Sequence, residues 1–312
     1  MGRRPKGKNS LIYAITSIIV IVLILLFGNK LSMDNIETMF SNVSENAVVQ
    51  ESSDINTNVV EGQDVVVRFF DVGQADSILV QSDGINMLID AGTNNMGNTV
   101  VKYLKDLGVS RIDYLIGTHP HEDHIGGMDD VINNFEIGTI YMPKVQTNTK
   151  TFEDVLDAIS NKGLTITTPE VGYIFEVGNA KCEVMCAGTG TTEENSNLNL
   201  ASIVIRMVYG EESFLFMGDA EDENENSRQW PQTTVLKVGH HGSDTSSSEN
   251  FLNQVKPEIA VISVGINNMY GHPKQVTLDK LNALGTKIYR TDQNGTITIN
   301  CDGTNCVVTT EK

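Results

Sequence analysis

Three histidines and an aspartate fall within six residues, at His119, His121, Asp123 and His124, directly after the apolar run 112–116 and just before Gly126 and Gly127. The run reads as a buried strand, and the two glycines read as the opening of a helix. The chain has only six histidines, and the other three, His240, His241 and His272, each stand beside a glycine. Scattered core or surface histidines would not cluster in this way. The pattern predicts a metal site assembled from loops distant in sequence.

The residue types suit that chemistry. His119 and His121, two apart in an extended turn, can converge on one ion, while Asp123 and His124 enter the next turn and can serve a second. Imidazole nitrogen with carboxylate oxygen suits zinc, manganese or iron and hardly suits calcium. Asp219, at the end of a strand, is placed to bridge two cations, although alone it also fits a helix N-cap. One of His240 and His241 would complete the second site, the other supporting it or meeting the substrate. His272 fits either a turn or the rim of the site, and Asp90 before Ala91 and Gly92 can simply shape a turn. Two ions about 4 Å apart hold and deprotonate a water and neutralise charge building on a tetrahedral or phosphoryl transition state. The expected cofactors are two divalent ions, zinc or manganese.

The chain has 312 residues, enough for a full core, and a net charge of −18. With Arg3, Arg4, Lys6 and Lys8 set apart, 18 basic residues face 40 acidic ones, a balance of −22. Such a surface repels polyanions at long range, which disfavours nucleic acid as a broadly bound partner but leaves room for a small cationic cleft made by metal ions. Residues 1–10 form a basic tip, and 11–27 carry no charge. As a helix they would span about 25 Å, the short end of a bilayer crossing. The basic tip should stay cytoplasmic and place the rest outside. No small-x-small cleavage site follows, which favours an anchor; a cleaved signal would export the domain just the same. Residues 28–63 are polar, low in aromatics and expected to be a flexible tether.

From 64 to 312 one α/β domain is expected. Short strands at 65–70, 77–81 and 86–89, with Asp83-Gly84 as a tight turn, suggest a meander. Val100, Val101, Leu104 and Leu107 sit at helical spacing with Gly108 as the stop. Further helices are expected over 128–135, 152–159 and 276–284, and strands at 139–142, 201–209, 213–217, 235–238, 259–263 and 287–289, before a closing hairpin. This pattern fits a two-layer sheet core flanked by helices. Cys301 and Cys306 bracket the last hairpin and can bridge, whereas Cys182 and Cys186, four apart in a strand, cannot. Lys237 and Arg206 approach the site on strands but read as ordinary strand-edge charges.

The run from His119 to His124 resembles the HxHxDH signature of the metallo-β-lactamase superfamily. With Asp71-Val72-Gly73-Gln74-Ala75-Asp76, Gly218-Asp219, His240-His241-Gly242-Ser243 and Tyr270-Gly271-His272-Pro273, it is similar to the hydrolase domain of ComEC-type competence proteins over about residues 64 to 300. The resemblance implies an αββα sandwich, here preceded by one transmembrane helix, with two metal ions at one edge and hydrolysis by a metal-bound hydroxide. It implies His119 and His121 as ligands of the first ion, Asp123 and His124 as ligands of the second, Asp219 as the bridge and His240 as the last histidine. The expected catalytic residues are Asp123, His240 and His241; the expected substrate contacts are Gln74, Asp76, Ser243 and His272. Two departures stand out. The family's third first-site histidine belongs between Gly188 and Ser202, where this chain has only Asn195, Asn197 and Asn199, and Ala75 replaces a glycine. The resemblance favours a phosphodiesterase acting on DNA, nucleotides or phosphorylcholine-type esters, which the N-terminal segment would anchor to the membrane and place outside. A binding module that kept the scaffold without catalysis is the alternative.

Overall fold

Side chains that alternate across strands build this protein in layers. The computed structural model describes residues 64–188 and 197–312. The first sheet opens with β1 (Val65–Phe69), β2 (Ile78–Ser82) and β3 (Ile85–Ile89), an antiparallel meander. Asp83 and Gly84 both have positive φ, the backbone a two-residue hairpin requires. Helix α1 (Gly97–Asp106) leads to β4 (Arg111–Ile116), and the short helices α2 (Glu122–Ile125) and α3 (Met128–Asn134) lead to β5 (Glu136–Tyr141). Helix α4 (Lys150–Asn161), capped by the Thr149 hydroxyl, is followed by the two-residue β6 (Ile166–Thr167).

The second sheet begins with the hairpin β7 (Ile174–Val177) and β8 (Ala180–Cys186), then β9 (Val204–Tyr209) and β10 (Glu212–Phe216). Helix α5 (Asp222–Asn226) precedes β11 (Val235–Lys237), helix α6 (Glu249–Val255) precedes β12 (Ile259–Ile262), and helix α7 (Gln275–Ala283) precedes β13 (Lys287–Arg290). The single-turn α8 (Thr291–Asn294) returns the chain to the first sheet, which ends in the hairpin of β14 (Ile297–Cys301) and β15 (Cys306–Thr310). The strand orders are β15-β14-β1-β2-β3-β4-β5-β6 and β13-β12-β11-β10-β9-β8-β7.

Three apolar clusters match the three interfaces of an αββα sandwich. Phe69, Ile78, Ile205, Phe214 and Phe216 belong to the cluster between the sheets. Leu79, Leu88 and Leu115 pack with Leu104, Val131 and Val155 of α1, α3 and α4. Leu215, Leu236 and Ala260 pack with Phe251, Val255 and Leu281 of α6 and α7. Because β10 is covered on both faces, all five of its residues are buried, and Phe214, Leu215 and Phe216 are three apolar residues in a row rather than an alternating pattern. Each large side chain buried this way contributes about 1.5–3 kcal/mol.

The pairings β3-β4-β5 and β10-β11-β12 are parallel, so the loops after their carboxyl ends gather together. The Ile203 amide donates to the Thr118 carbonyl (2.9 Å), joining the end of β4 to the start of β9 across the sandwich. Gly218 has φ +54°, and a Cβ there would come within 3.1 Å of Thr118 Cβ, so this crossing requires glycine. The glycine pair 126–127 does not open a single helix: Gly126 ends α2 and Gly127 caps α3. A side chain on Gly127 would strike the backbone of Ala91 and Gly97.

Ala75 has no left-handed backbone, and its methyl is buried in the helix-side core, so that turn does not need glycine. Cys301 and Cys306 form a disulfide across β14 and β15, with Cα atoms 4.2 Å apart, and Cys182 and Cys186 are buried free thiols. Among the described residues no helix is long and apolar enough to cross a membrane. The expected span at 11–27 and tether at 28–63 lie outside the described residues.

Phe216 is 1 % exposed and packs against Phe69 and Phe214, with ring centroids 6.4 and 5.9 Å away. Phe216→Ala is expected to lower unfolding free energy by about 3–5 kcal/mol in urea titration. A loss under about 1 kcal/mol would contradict this core assignment.

Candidate metal centre

Loops from both sheets bring the predicted residues to one cleft. His119 and His121 follow β4, Asp123 and His124 lie on α2, Asp219 follows β10, and His240 and His241 form a tight turn after β11. The two adjacent histidines have φ of 48° and 52°, consecutive left-handed residues that turn their rings apart, with centroids 6.4 Å from each other. Asp219, 2 % exposed, stands at the middle. Its Oδ1 lies 3.2 Å from His124 Nε2 and 3.7 Å from His241 Nε2. Its Oδ2 lies 4.0 Å from His119 Nε2 and 3.8 Å from His240 Nε2. His119 Nε2 faces His121 Nδ1 at 2.9 Å, and His241 Nε2 faces Asp123 Oδ2 at 3.3 Å.

One ligand atom from each of Asp123, His124, Asp219 and His241 lies within 4.8 Å of all the others. Of the two adjacent histidines that could complete the second site, it is therefore His241 that joins Asp123 and His124, whereas the family resemblance implied His240 as the last histidine. The left-handed turn is the reason, since it sends His241 inward and leaves His240 facing the cleft. His124 Nε2, His241 Nε2 and Asp219 Oδ1 are buried with no well-formed hydrogen bond, facing only one another and Asp123 at 3.2–3.7 Å. Orphaned polar atoms cost about 1–3 kcal/mol each, and a cation among them would satisfy all three. The donor set fits zinc or manganese.

Groups behind the ligands fix their orientation. His124 Nδ1 lies 2.7 Å from Asp90 Oδ2, and Asp90 also accepts from the Thr118 amide and hydroxyl, each at 2.8 Å. His241 Nδ1 donates to the Ser263 carbonyl at 2.9 Å. These acceptors hold the hydrogen on Nδ1 and turn each Nε2 toward the centre. Asp90, which alone could have been a turn residue, thus supports a candidate ligand.

The site is electrostatically self-compensating. Burial works against charge on His124, yet the carboxylates of Asp219, Asp90 and Asp123 raise its pKa well above the usual imidazole range. His241 is raised in the same way, against burial, by Asp219, Asp123 and Asp76. Burial would raise Asp219, but His124 and His241 hold it well below the ordinary carboxylate range; Asp123 is lowered likewise. His119 is lowered well below its ordinary value, chiefly by burial, and His121 is lowered for the same reason.

The expected substrate contacts divide. Gln74 and His272 line a cleft of about 460 Å³ with His121, His240 and Tyr270. The Gln74 Oε1 accepts from the Gly265 amide (3.1 Å) and clasps two rim loops together. Burial, with help from His240 and His241, pushes His272 down to about 4. Asp76 does not reach the cleft: it is 1 % exposed and paired at 2.7 Å with Lys237, itself fully buried, beneath the ligands. Ser243, 4 % exposed, meets the Thr245 hydroxyl at 3.1 Å and braces the histidine turn. Lys237 is thus no strand-edge charge, while Arg206 is half-buried opposite Glu183 of β8. Sequence reasoning passed over Glu221, whose only signal was its place two residues beyond Asp219.

Residues 70–266 match the family model described as Metallo-beta-lactamase superfamily. ComE operon protein 3 of Bacillus subtilis is 32% identical over 253 residues, covering 74% of this chain and 32% of that protein. Competence protein ComA of Neisseria gonorrhoeae is also 32% identical over 253 residues, covering 76% and 32%. The chain thus spans about a third of the length of these relatives. Among solved structures, CmlA, a diiron β-hydroxylase from Streptomyces venezuelae, shares the fold with a TM-score of 0.51 at 16% identity, covering 77% of this chain and 55% of that one.

Since the surrounding carboxylates favour the protonated forms of His124 and His241, and coordination requires the neutral rings, metal binding should release protons and strengthen as pH rises. Calorimetric titration in two buffers of different ionisation enthalpy checks this. Binding heats that do not depend on the buffer would contradict it.

Proposed function

Because this chain belongs to the metallo-β-lactamase superfamily, we propose that it is a metal-dependent hydrolase of phosphodiesters, acting outside the membrane that residues 11–27 would span. The observation that carries the reading is the floor of the cleft, where ligand atoms of Asp123, His124, Asp219 and His241 converge within 4.8 Å of one another. Asp123, His124, His241 and Asp219 would hold one ion, and His119 and His121 with Asp219 a second. Two such ions supply Lewis-acid polarisation and an activated water.

The chain's own side chains do the rest. Asp90 and the Ser263 carbonyl keep His124 and His241 in the coordinating tautomer. His272, neutral at physiological pH, is placed at the rim to hydrogen-bond a substrate oxygen without adding charge. No lysine or arginine is among the described residues lining the cleft. Charge neutralisation then falls to the ions, which suits the single negative charge of a phosphodiester. Relatives named as competence proteins and as a recombination protein of Haemophilus influenzae support a nucleic-acid or nucleotide phosphodiester. The −22 balance weighs against broad binding of long duplex DNA, and phosphorylcholine-type esters stay within the same chemistry.

A second reading, a metal-containing binding module without turnover, draws on Asn197 and Asn199 standing where the family's histidine belongs. One panel separates the two. The zinc- or manganese-loaded chain is offered a chromogenic phosphodiester, a phosphorylcholine ester, single-stranded and duplex DNA and a β-lactam. Metal-dependent cleavage of at least one phosphodiester, and none of the β-lactam, is expected; bound metal with no turnover of any substrate would favour the module. Asp90→Asn, which removes the acceptor behind His124, should lower metal affinity or activity by about 10–100-fold. Unchanged binding and kinetics would contradict the role given to Asp90.

A further inference from the structure

Several donors converge on one buried carboxylate beside the cleft. Glu221, 7 % exposed, accepts from Asn199 Nδ2 (3.0 Å) and the Thr245 hydroxyl (2.9 Å) at Oε1, and from Asn197 Nδ2 (2.5 Å) at Oε2. The same Oε1 stands 3.1 Å from His240 Nδ1. An ionised carboxylate only accepts, so the imidazole nitrogen facing it carries the hydrogen and Nε2 keeps its lone pair. Thr245 Oγ1, 3.1 Å from that Nδ1, donates its own hydrogen to Glu221 and also presents an acceptor. The cage thereby fixes both the tautomer and the direction of a ring that is otherwise partly open to solvent.

That direction is toward Asp219. His240 Nε2 lies 3.8 Å from Oδ2, the oxygen that stands 4.0 Å from His119 Nε2. On the other side Oδ1 faces His124 and His241 at 3.2 and 3.7 Å. Two donors on one ion, each bonded at about 2.0–2.2 Å, lie roughly 3–4 Å apart, the separation found on both sides of the carboxylate. Asn197 and Asn199 stand in the stretch where the family's first-site histidine belongs, and both turn their amides onto Glu221.

We propose that the two adjacent histidines are divided between the two metal positions: His241 serves with Asp123 and His124, and His240, positioned by Glu221, serves with His119 and His121 in place of the absent histidine. The assignment rests on the metal-dependent reading above. In it Glu221 is a positioning residue, acting through His240 and touching neither ion nor substrate. The asparagines are then the support of a relocated ligand rather than a gap in the site.

Titration of the metal-stripped full chain with cobalt(II), followed by absorption spectroscopy and metal analysis, tests the division. The wild type should bind two ions. His240→Asn, chosen because asparagine tolerates the left-handed backbone, should lose tight binding of one ion and leave the spectrum that His121→Ala leaves. His241→Asn should lose the other ion and leave a different spectrum. Glu221→Gln, which keeps His240 but can donate to Nδ1, should weaken the first ion by about 10–100-fold with the second unaffected, and it carries the test if the asparagine variant does not fold. Two ions bound at wild-type affinity in both His240→Asn and Glu221→Gln would overturn the assignment, as would a His240→Asn spectrum matching His241→Asn. A wild type that binds no cobalt would overturn the metal-dependent reading itself.

Discussion

A carboxylate buried to 2 % exposure, facing four imidazole nitrogens, sets the terms for everything around Asp219. An ionised group so far from water is tolerable only beside compensating charge. The protein supplies it from both sheets, through His124 of the first and His241 of the second, whose protonated forms the carboxylates favour. Asp219 follows directly on the fully buried β10, whose place in the second sheet is fixed by Phe214 and Phe216 on one face and Leu215 on the other. The sandwich core and the polar centre are therefore consequences of one strand's register. A slip of one residue would turn both phenylalanines and the carboxylate to the wrong side.

The second regularity is support from behind. Asp90, the Ser263 carbonyl and Glu221 each face the Nδ1 of one histidine and leave its Nε2 turned toward Asp219. Histidine is a neutral ligand whose two nitrogens compete, and an acceptor on one nitrogen decides the matter. Asp76 and Lys237 form a further buried layer beneath His241 and His124. Substitutions that never touch an ion can still disturb the site, because its geometry is held by groups one hydrogen bond away.

Much of this was legible in the residues themselves. The cluster from His119 to His124 announced a centre, Asp83-Gly84 announced a hairpin, and the spacing of Val100, Val101 and Leu104 announced a helix. The β7–β8 hairpin was harder to read, with only Cys182 and Cys186 marking a strand, and α6 was missed because its apolar positions, Phe251, Leu252 and Val255, are few. Asp76 looked like a substrate contact because it follows the Gly73-Gln74 loop; only the fold reveals Lys237 beneath it. The roles of His240 and His241 could not be read either, since consecutive left-handed residues break the alternation by which neighbouring side chains are usually assigned to faces. Glu221 was invisible because its donors come from residues 197, 199, 240 and 245, joined only by tertiary structure.

Anomalous diffraction from crystals of the full chain grown with manganese or zinc tests the central claim most directly. The account predicts two peaks, one on each side of the Asp219 carboxylate, with His124 and His241 ligating one and His119 and His240 the other. A single peak, or two peaks with Asp219 bound to neither, would contradict it.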